Sequence, residues 1–193
     1  MKLPLFALFI TAFAIGTAEF VVSGLLPQVS ADLQVDIPTA GLLITGYAMG
    51  VAIGGPVMTV ATARLPRKTA LLVLAALFIS ANLACAVSGT YFAMIAARML
   101  GAFAHGAFYG IASVVAASLV PENKRASAVA LVGAGVTIAN VLGVPGGTAL
   151  GQVLGWRATF WAITAVGVLS TLAIALWVPG GGSGKAMDLR AEV

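Results

Sequence analysis

The sequence predicts an all-α membrane protein of six transmembrane helices, arranged as two inverted three-helix repeats. Three observations lead there. The 193 residues are 61% hydrophobic and 8% charged, where a soluble domain carries about 25% charged residues. Six apolar stretches, at 4–26, 39–63, 69–87, 91–120, 127–150 and 158–178, each reach or approach the roughly 20 residues that cross about 30 Å of hydrocarbon. Two of them carry small residues at four-residue spacing, the mark of helices packed backbone to backbone in lipid. Residues 1–178 therefore read as one transmembrane bundle. Residues 179–193, with their Gly/Ser run, read as a cytoplasmic linker. A net charge of +4, small and scattered, argues against nucleic acid as a partner. The single Cys85 permits no disulfide framework and no metal cluster within one chain. No cofactor is expected; the coupling ion that the intramembrane residues below point to is a proton.

The first span starts after Lys2. Ala12-Phe13-Ala14 resembles a signal-peptide cleavage site, but the apolar run continues well beyond it, longer than the usual 7–15-residue apolar core. Glu19 is the one acid inside any span. A charge there costs at least about 2.5–3.5 kcal/mol, so an intramembrane acid is a functional hypothesis by default; the alternative is a structural acid that holds a helix in place. Ala12, Gly16, Glu19 and Ser23 form a small, polar stripe, and Phe6, Phe9, Phe13 and Phe20 occupy another side. The segment 27–38, PQVSADLQVDIP, reads as an external loop with two acids and no base.

The second span carries Gly46, Gly50 and Gly54, a packing ridge. It is followed by a basic loop, TVATARLPRK, with Arg64, Arg67 and Lys68. The third holds Asn82 and Cys85, the latter a small buried hydrophobe. The fourth contains Arg98, the one base inside a span. Arg98, Ala102, His105 and Tyr109 are spaced 4, 3 and 4, which places them on one helical face. This stripe is expected to face that of Glu19 across a wet cavity. Glu19, Ser23, Arg98, Ala102, His105, Tyr109 and Asn140 are the expected cavity residues, and Glu19, Arg98 and His105 the expected proton carriers. Burial and a nearby arginine act on an acid in opposite senses, the balance that loading and unloading a proton requires. Arg98 reads alternatively as a static ion-pair partner. His105 reads alternatively as a hydrogen-bonded packing residue, and Asn82 and Asn140 as interhelical glue.

The fifth span contains GAGVTIANVLGVPGGTALG (133–151), with Gly135, Ala139, Gly143, Gly147 and Gly151 on a second ridge and Pro145 among them. In water each interior Gly costs about 0.8–1.0 kcal/mol against Ala. In a bilayer neighbouring helices satisfy the backbone groups that Pro frees, so tight packing and a bend are expected. The sixth span opens with WRATFW (156–161). With the N-terminus in the cytoplasm, Lys2, Arg64, Arg67, Lys68, Lys124, Arg125, Lys185 and Arg190 lie inside and Arg157 outside, as the positive-inside rule requires. Trp156, Trp161 and Tyr91 then fall at the outer interface and Trp177 at the inner one. A faint repeat supports the inverted arrangement: GTAEFVVSGLLP (16–27) aligns with GIASVVAASLVP (110–121), and Gly50, Val51 and Gly54 with Gly143, Val144 and Gly147.

These pieces resemble the N-terminal half of a major facilitator superfamily transporter, in its drug:proton antiporter branch with the sugar-efflux and chloramphenicol-efflux members. NVLGVPGGTALG (140–151) resembles the antiporter kink motif, with Gly143, Pro145, Gly146, Gly147 and Gly151 in its gating positions. RMLGAFAHGAFYG (98–110) resembles the membrane arginine motif, GTAEFVVSGLLP the first span with its embedded acid, and LRAEV (189–193) the start of the loop that joins the halves. The 59–68 loop departs from the family pattern. Thr59 stands in the place of its Gly and Ala63 in that of its Asp, which puts the usual charge lock of that loop in doubt.

The resemblance implies the N-terminal half of a twelve-helix, proton-coupled efflux transporter that exports a small molecule such as a drug or a sugar. It implies no enzymatic activity and a multi-pass place in the inner or plasma membrane with both termini cytoplasmic. The partners it implies are the lipid bilayer, the substrate, and a second six-helix half or a second copy of the chain. The competing reading is a truncated, non-transporting membrane interaction module. An intramembrane serine protease needs a serine in a Gly-x-Ser-Gly turn to pair with a base; neither Val22-Ser23-Gly24 nor Val87-Ser88-Gly89 has it. Both glycine ridges are expected to be left partly without a helix partner, as docking surfaces for the other half.

Overall fold

The computed structural model describes residues 3–180, and in it six helical crossings are long and apolar enough to span a membrane. Helices α1 (Leu3–Leu33), α2 (Ile37–Thr62), α3 (Arg67–Val87) and α4 (Tyr91–Ser118) are the first four. The fifth crossing is composite. A 3-10 turn, Glu122–Lys124, leads into α5 (Arg125–Ile138), a π turn (Ala139–Gly143) and α6 (Val144–Leu154). Helix α7 (Trp156–Trp177) is the sixth. No strand occurs among the described residues. Of the linker 179–193, residues 181–193 lie outside the described residues, as do Lys2, Lys185 and Arg190.

The local signals that end these helices are ordinary. Asp36 caps α2, accepting from the Thr39 amide at 2.9 Å, with Pro38 in the first turn, where a missing N–H costs nothing. Thr90 caps α4 through the Ala93 amide. Gly155, at φ 86°, makes the tight link between α6 and α7, a backbone state that favours glycine.

One boundary differs from expectation. The segment 27–38 is not a loop: α1 runs through Pro27 to Leu33, leaving three residues before α2. Val29 and Ser30 in its last turns are buried, so tertiary packing carries the helix past the proline, as membrane helices allow. Gln34, at φ 54°, then turns the chain.

The helix pairings follow the inverted repeat. Helix α2 packs along α4 as the fifth crossing packs along α1, and α3 packs on α4 as α7 packs on α1. Exchanging crossings one, two and three with four, five and six thus maps these main pairings onto one another. The core between them holds Phe78, Phe108, Phe160, Leu8, Ile15, Leu25, Leu71 and Leu74, all fully buried.

The glycine ridges make these pairings possible, and here a second expectation fails. Both ridges are covered from within the bundle. A Cβ on Gly50 meets the Cβ of Ala102 at 2.7 Å, one on Gly54 meets Phe103, and one on Gly106 comes within 2.8 Å of the Gly55 backbone, all between α2 and α4. On the fifth crossing, Gly135 lies against Phe9 and Ala12, Ala139 against Gly16, Gly143 against Thr17, and Gly147 and Gly151 against Val21, Leu25 and Thr159. Close backbone approach is where glycine is most useful in lipid, and α1 and α4 are the nearest helices. The open faces are aliphatic: Met49, Ile53, Val57 and Val60 on α2, and Val141, Leu142, Val153 and Leu154 on the fifth crossing.

The expected bend at Pro145 takes a specific form. Pro145 cannot donate to Val141, and one residue earlier the Val144 N–H already bonds to Ala139 five residues back. The extra residue in that turn keeps the proline ring from driving into the preceding carbonyl.

The tryptophans expected at the two interfaces differ in exposure. Trp161 and Trp177 are exposed. Trp156 is buried, its indole N–H donating to Asp32 at 3.2 Å and its ring lying under Arg157. Arg157 joins three crossings at one end of the bundle: it pairs with Asp32 at 2.6 Å and donates to the Ser88 carbonyl at 2.7 Å. At the opposite end Lys68 donates to the Ala175 carbonyl at the close of α7, while Arg64 and Arg67 are exposed.

Candidate functional site

The intramembrane acid and base are neighbours, as the two stripes predict. Their contact is not the expected one. Arg98 is 2% exposed and reaches α1 through its backbone, donating to the Ala18 carbonyl at 2.5 Å and the Glu19 carbonyl at 3.2 Å. Among the described residues no ion pair joins it to the Glu19 carboxylate. That group, 26% exposed, lies 3.8 Å from His105 Nδ1 instead. A fully buried guanidinium needs acceptors for its donors, and two carbonyls on a tightly packed helix supply them. Its Nε has no partner, and the residue lines a cavity of about 10 Å³ together with Ala18, Tyr47, Asn82, Cys85 and Ala97. That is about the size of one water.

Tyr47 of α2 links these groups, and the sequence reading passed over it. It is 3% exposed. Its ring lies 4.1 Å from the Arg98 guanidinium carbon, and its hydroxyl is 3.1 Å from His105 Nδ1. An arginine over an aromatic face is attractive, and more so when desolvated. His105 sits between two rings, with Tyr47 at 5.8 Å and Tyr109 at 5.0 Å between centroids. Tyr109 in turn donates to the Ala12 carbonyl at 2.8 Å, tying α4 to α1. A signal existed in the sequence. Tyr47 lies one residue beyond Gly46 and three before Gly50 on the α2 ridge, a large polar ring placed where small residues pack against α4.

The carboxylate opens into a pocket of about 190 Å³ lined by Glu19, Phe20, Ser23, Ile44, Tyr47 and Ala48. One face of this pocket is polar and the rest is apolar, the usual form of a small-molecule site. Of the expected cavity residues, the structure brings together Glu19, Arg98, His105 and Tyr109, with Ser23 one turn along. Two stand apart from this cluster. Ala102 is fully buried against Gly50. Asn140 is exposed and donates to its own helix at the Val136 carbonyl. Asn82 likewise donates within its helix, to Phe78. The amide nitrogens of both asparagines therefore serve their own helices, each adding a second bond to a carbonyl one turn back.

A second cavity, about 250 Å³, is bounded by Phe13 and Thr17 of α1, Gly143, Gly146 and Gly147 at the bend, and Thr159 and Val166 of α7. Its threonine hydroxyls already donate to the Phe13 and Gly147 carbonyls, so its lining is mostly apolar. The bend residues Gly143 and Gly147 thus pack against α1 and α7, Gly151 is buried there, and Pro145 and Gly146 face outward.

Comparison with known proteins places this geometry. Residues 8–189 match the Major Facilitator Superfamily. The "Inner membrane transport protein YdhP" of Escherichia coli (strain K12) is 44% identical over 190 residues, 98% of this chain and 49% of that protein. The "Chloramphenicol resistance protein" of Streptomyces lividans is 37% identical, covering 94% of this chain and 46% of its own length. A "Probable sugar efflux transporter" of Helicobacter pylori (strain ATCC 700392 / 26695) is 35% identical over 89% of this chain. The fold is that of one half of the xylose transporter XylE from E. coli in a partially occluded inward open conformation. The TM-score there is 0.80 at 16% identity, covering 92% of this chain and 50% of that one. The chain spans about half the length of the curated relatives it matches.

Proposed function

The chain belongs to the Major Facilitator Superfamily, and from that premise we propose that it is the N-terminal six-span half of a proton-coupled efflux transporter. The substrate is a small molecule such as a drug or a sugar, exchanged for a proton across the inner membrane. The relatives named for chloramphenicol resistance and sugar efflux support the direction of transport. The observation that carries the reading is Glu19: a carboxylate inside a span, partly exposed to a pocket, with a buried Arg98 and an adjoining His105. An acid that is wet on one side and has one buried cation close by is suited to loading and unloading a proton as the pocket changes access.

In this mechanism a proton from outside binds Glu19 and is released inward when the half rocks against a second six-span half. Arg98, held by two carbonyls of α1, keeps positive charge close to the acid. Ser23 and the apolar wall receive substrate, and the bend around Pro145 serves as a hinge. The exposed Arg64, Arg67, Lys124 and Arg125 share one end, with Lys68 half-buried beside them. Placing that end in the cytoplasm agrees with the positive-inside rule. The driving force is about 2.3 kcal/mol per charge per 100 mV. No cofactor takes part.

In the full-length transporter, Glu19→Gln abolishes proton-driven efflux while the melting temperature in detergent stays near that of the parent. Coupled efflux that survives in this variant removes Glu19 from the mechanism.

A further inference from the structure

Arg98 touches the backbone of Glu19 itself, and opposite charges attract strongly where water is scarce. The carboxylate nevertheless pairs with His105 rather than with the guanidinium. Tyr47 accounts for this. Its ring covers one face of the Arg98 guanidinium at 4.1 Å, and its hydroxyl holds His105 Nδ1 at 3.1 Å. Both contacts come from one buried side chain on a ridge that cannot shift, since Gly50 and Gly54 are in tight contact with α4 just beyond it.

We propose that Tyr47 is the positioning residue that keeps Arg98 and the Glu19 carboxylate apart: its ring pins the guanidinium on the α1 carbonyls, and its hydroxyl sets His105 in the place the guanidinium would take. The inference rests on the reading of Glu19 as the proton carrier, because an acid locked to an arginine is held ionised and cannot accept a proton at working pH. The groups that face this cluster are Glu19 from α1, Tyr47 from α2, Cys85 from α3, and Arg98, His105 and Tyr109 from α4. Tyr47 contacts the arginine and the histidine with one side chain, whereas Glu19 reaches Arg98 only through its backbone carbonyl. The ring does the larger part of the work and the hydroxyl the smaller, so the two can be separated.

The test uses dicyclohexylcarbodiimide, which adds a protonated carboxyl across its C=N bond and leaves a stable N-acylurea. Labelling at Glu19 is read by peptide mass spectrometry on the full-length transporter at neutral pH, alongside its melting temperature. Parent protein and Tyr47→Phe, which keeps the ring, are expected to label to similar extents. Tyr47→Leu is expected to label about tenfold less or weaker still, the change that a released arginine makes in the neutral fraction of an acid. The double variant Tyr47→Leu, Arg98→Gln is expected to regain labelling. Equal labelling of Tyr47→Leu and parent overturns the proposal, and so does a loss that persists in the double variant. If the parent itself does not label at Glu19 at any pH, the reading of Glu19 as proton carrier fails, and the role of Tyr47 falls with it.

Discussion

At the scale of single residues, the chain uses its few charges to join helices. Arg157 shows this most clearly: one side chain bonds Asp32 near the end of α1 and the carbonyl of Ser88 beyond α3, and lies over Trp156. A lysine cannot span two acceptors with a rigid fork. Arg157→Lys is therefore expected to lower the melting temperature in detergent nearly as much as Arg157→Ala; full retention by lysine shows that only charge matters there. Asp36 acts on the next loop. The hydrogen bonds from Thr39 hold its carboxyl below the usual carboxylate range. A depressed value means that the cap stabilises α2 above the ordinary carboxylate range and is lost as pH falls through the lowered value. Protection of the first-turn amides of α2, taken relative to the intrinsic exchange rate at each pH, is expected to fall on acidification through that range. In Asp36→Asn, which keeps an acceptor but does not titrate, that loss of protection is expected to disappear. Glu19, Arg98 and His105 were legible in the sequence because charge is so rare inside spans. Tyr47 was not, since an aromatic residue at helical spacing is common in any core. Asp32 was missed for another reason: with 27–38 read as a loop, nothing pointed to a partner on the sixth crossing.

At the scale of elements, six crossings could be read from apolar length alone, and so could the use of glycine for close packing. What covers each ridge could not. Spacing tells which residues share a face but not which helix that face meets, and the answer was α1 and α4 of the same bundle. The composite fifth crossing adds a detail that spacing misjudges. Residues four apart on an α-helix over-rotate by about 40° at each step, so a long ridge should spiral away from its partner. The π turn at Ala139–Gly143 contains one more residue and turns the ridge back, which keeps Gly147 and Gly151 against α1 and α7. The glycines now separate into two classes. Gly50→Leu drives a side chain into Ala102 and is expected to cost about 1–3 kcal/mol, as overpacking does. Gly146→Ala meets nothing within 4 Å and is expected to leave the melting temperature unchanged. Thermal unfolding of the two variants in the same detergent checks both, and equal effects would contradict the packing described.

At the scale of the whole molecule, the inverted pairing of crossings was legible in a faint repeat at offsets of 94 and 93 residues, because Gly50 and Gly143 perform matching close approaches to α4 and α1. Under the proposed function the reading frame after Val193 encodes a second bundle, and six further spans are expected there; a stop codon in the native gene instead favours the interaction module. The inward turn of both ridges has a mechanical consequence for whatever meets α2 and the fifth crossing from outside. Their outward sides present Ile53, Val57, Val141 and Leu142. Two of the polar groups exposed there are bonded at home, Thr59 to the Gly55 carbonyl and Asn140 to that of Val136. Most of what a neighbour meets on these sides is aliphatic. Such a surface behaves as a slip plane: a partner can tilt across it by trading one aliphatic contact for another, with few hydrogen bonds to break on the way.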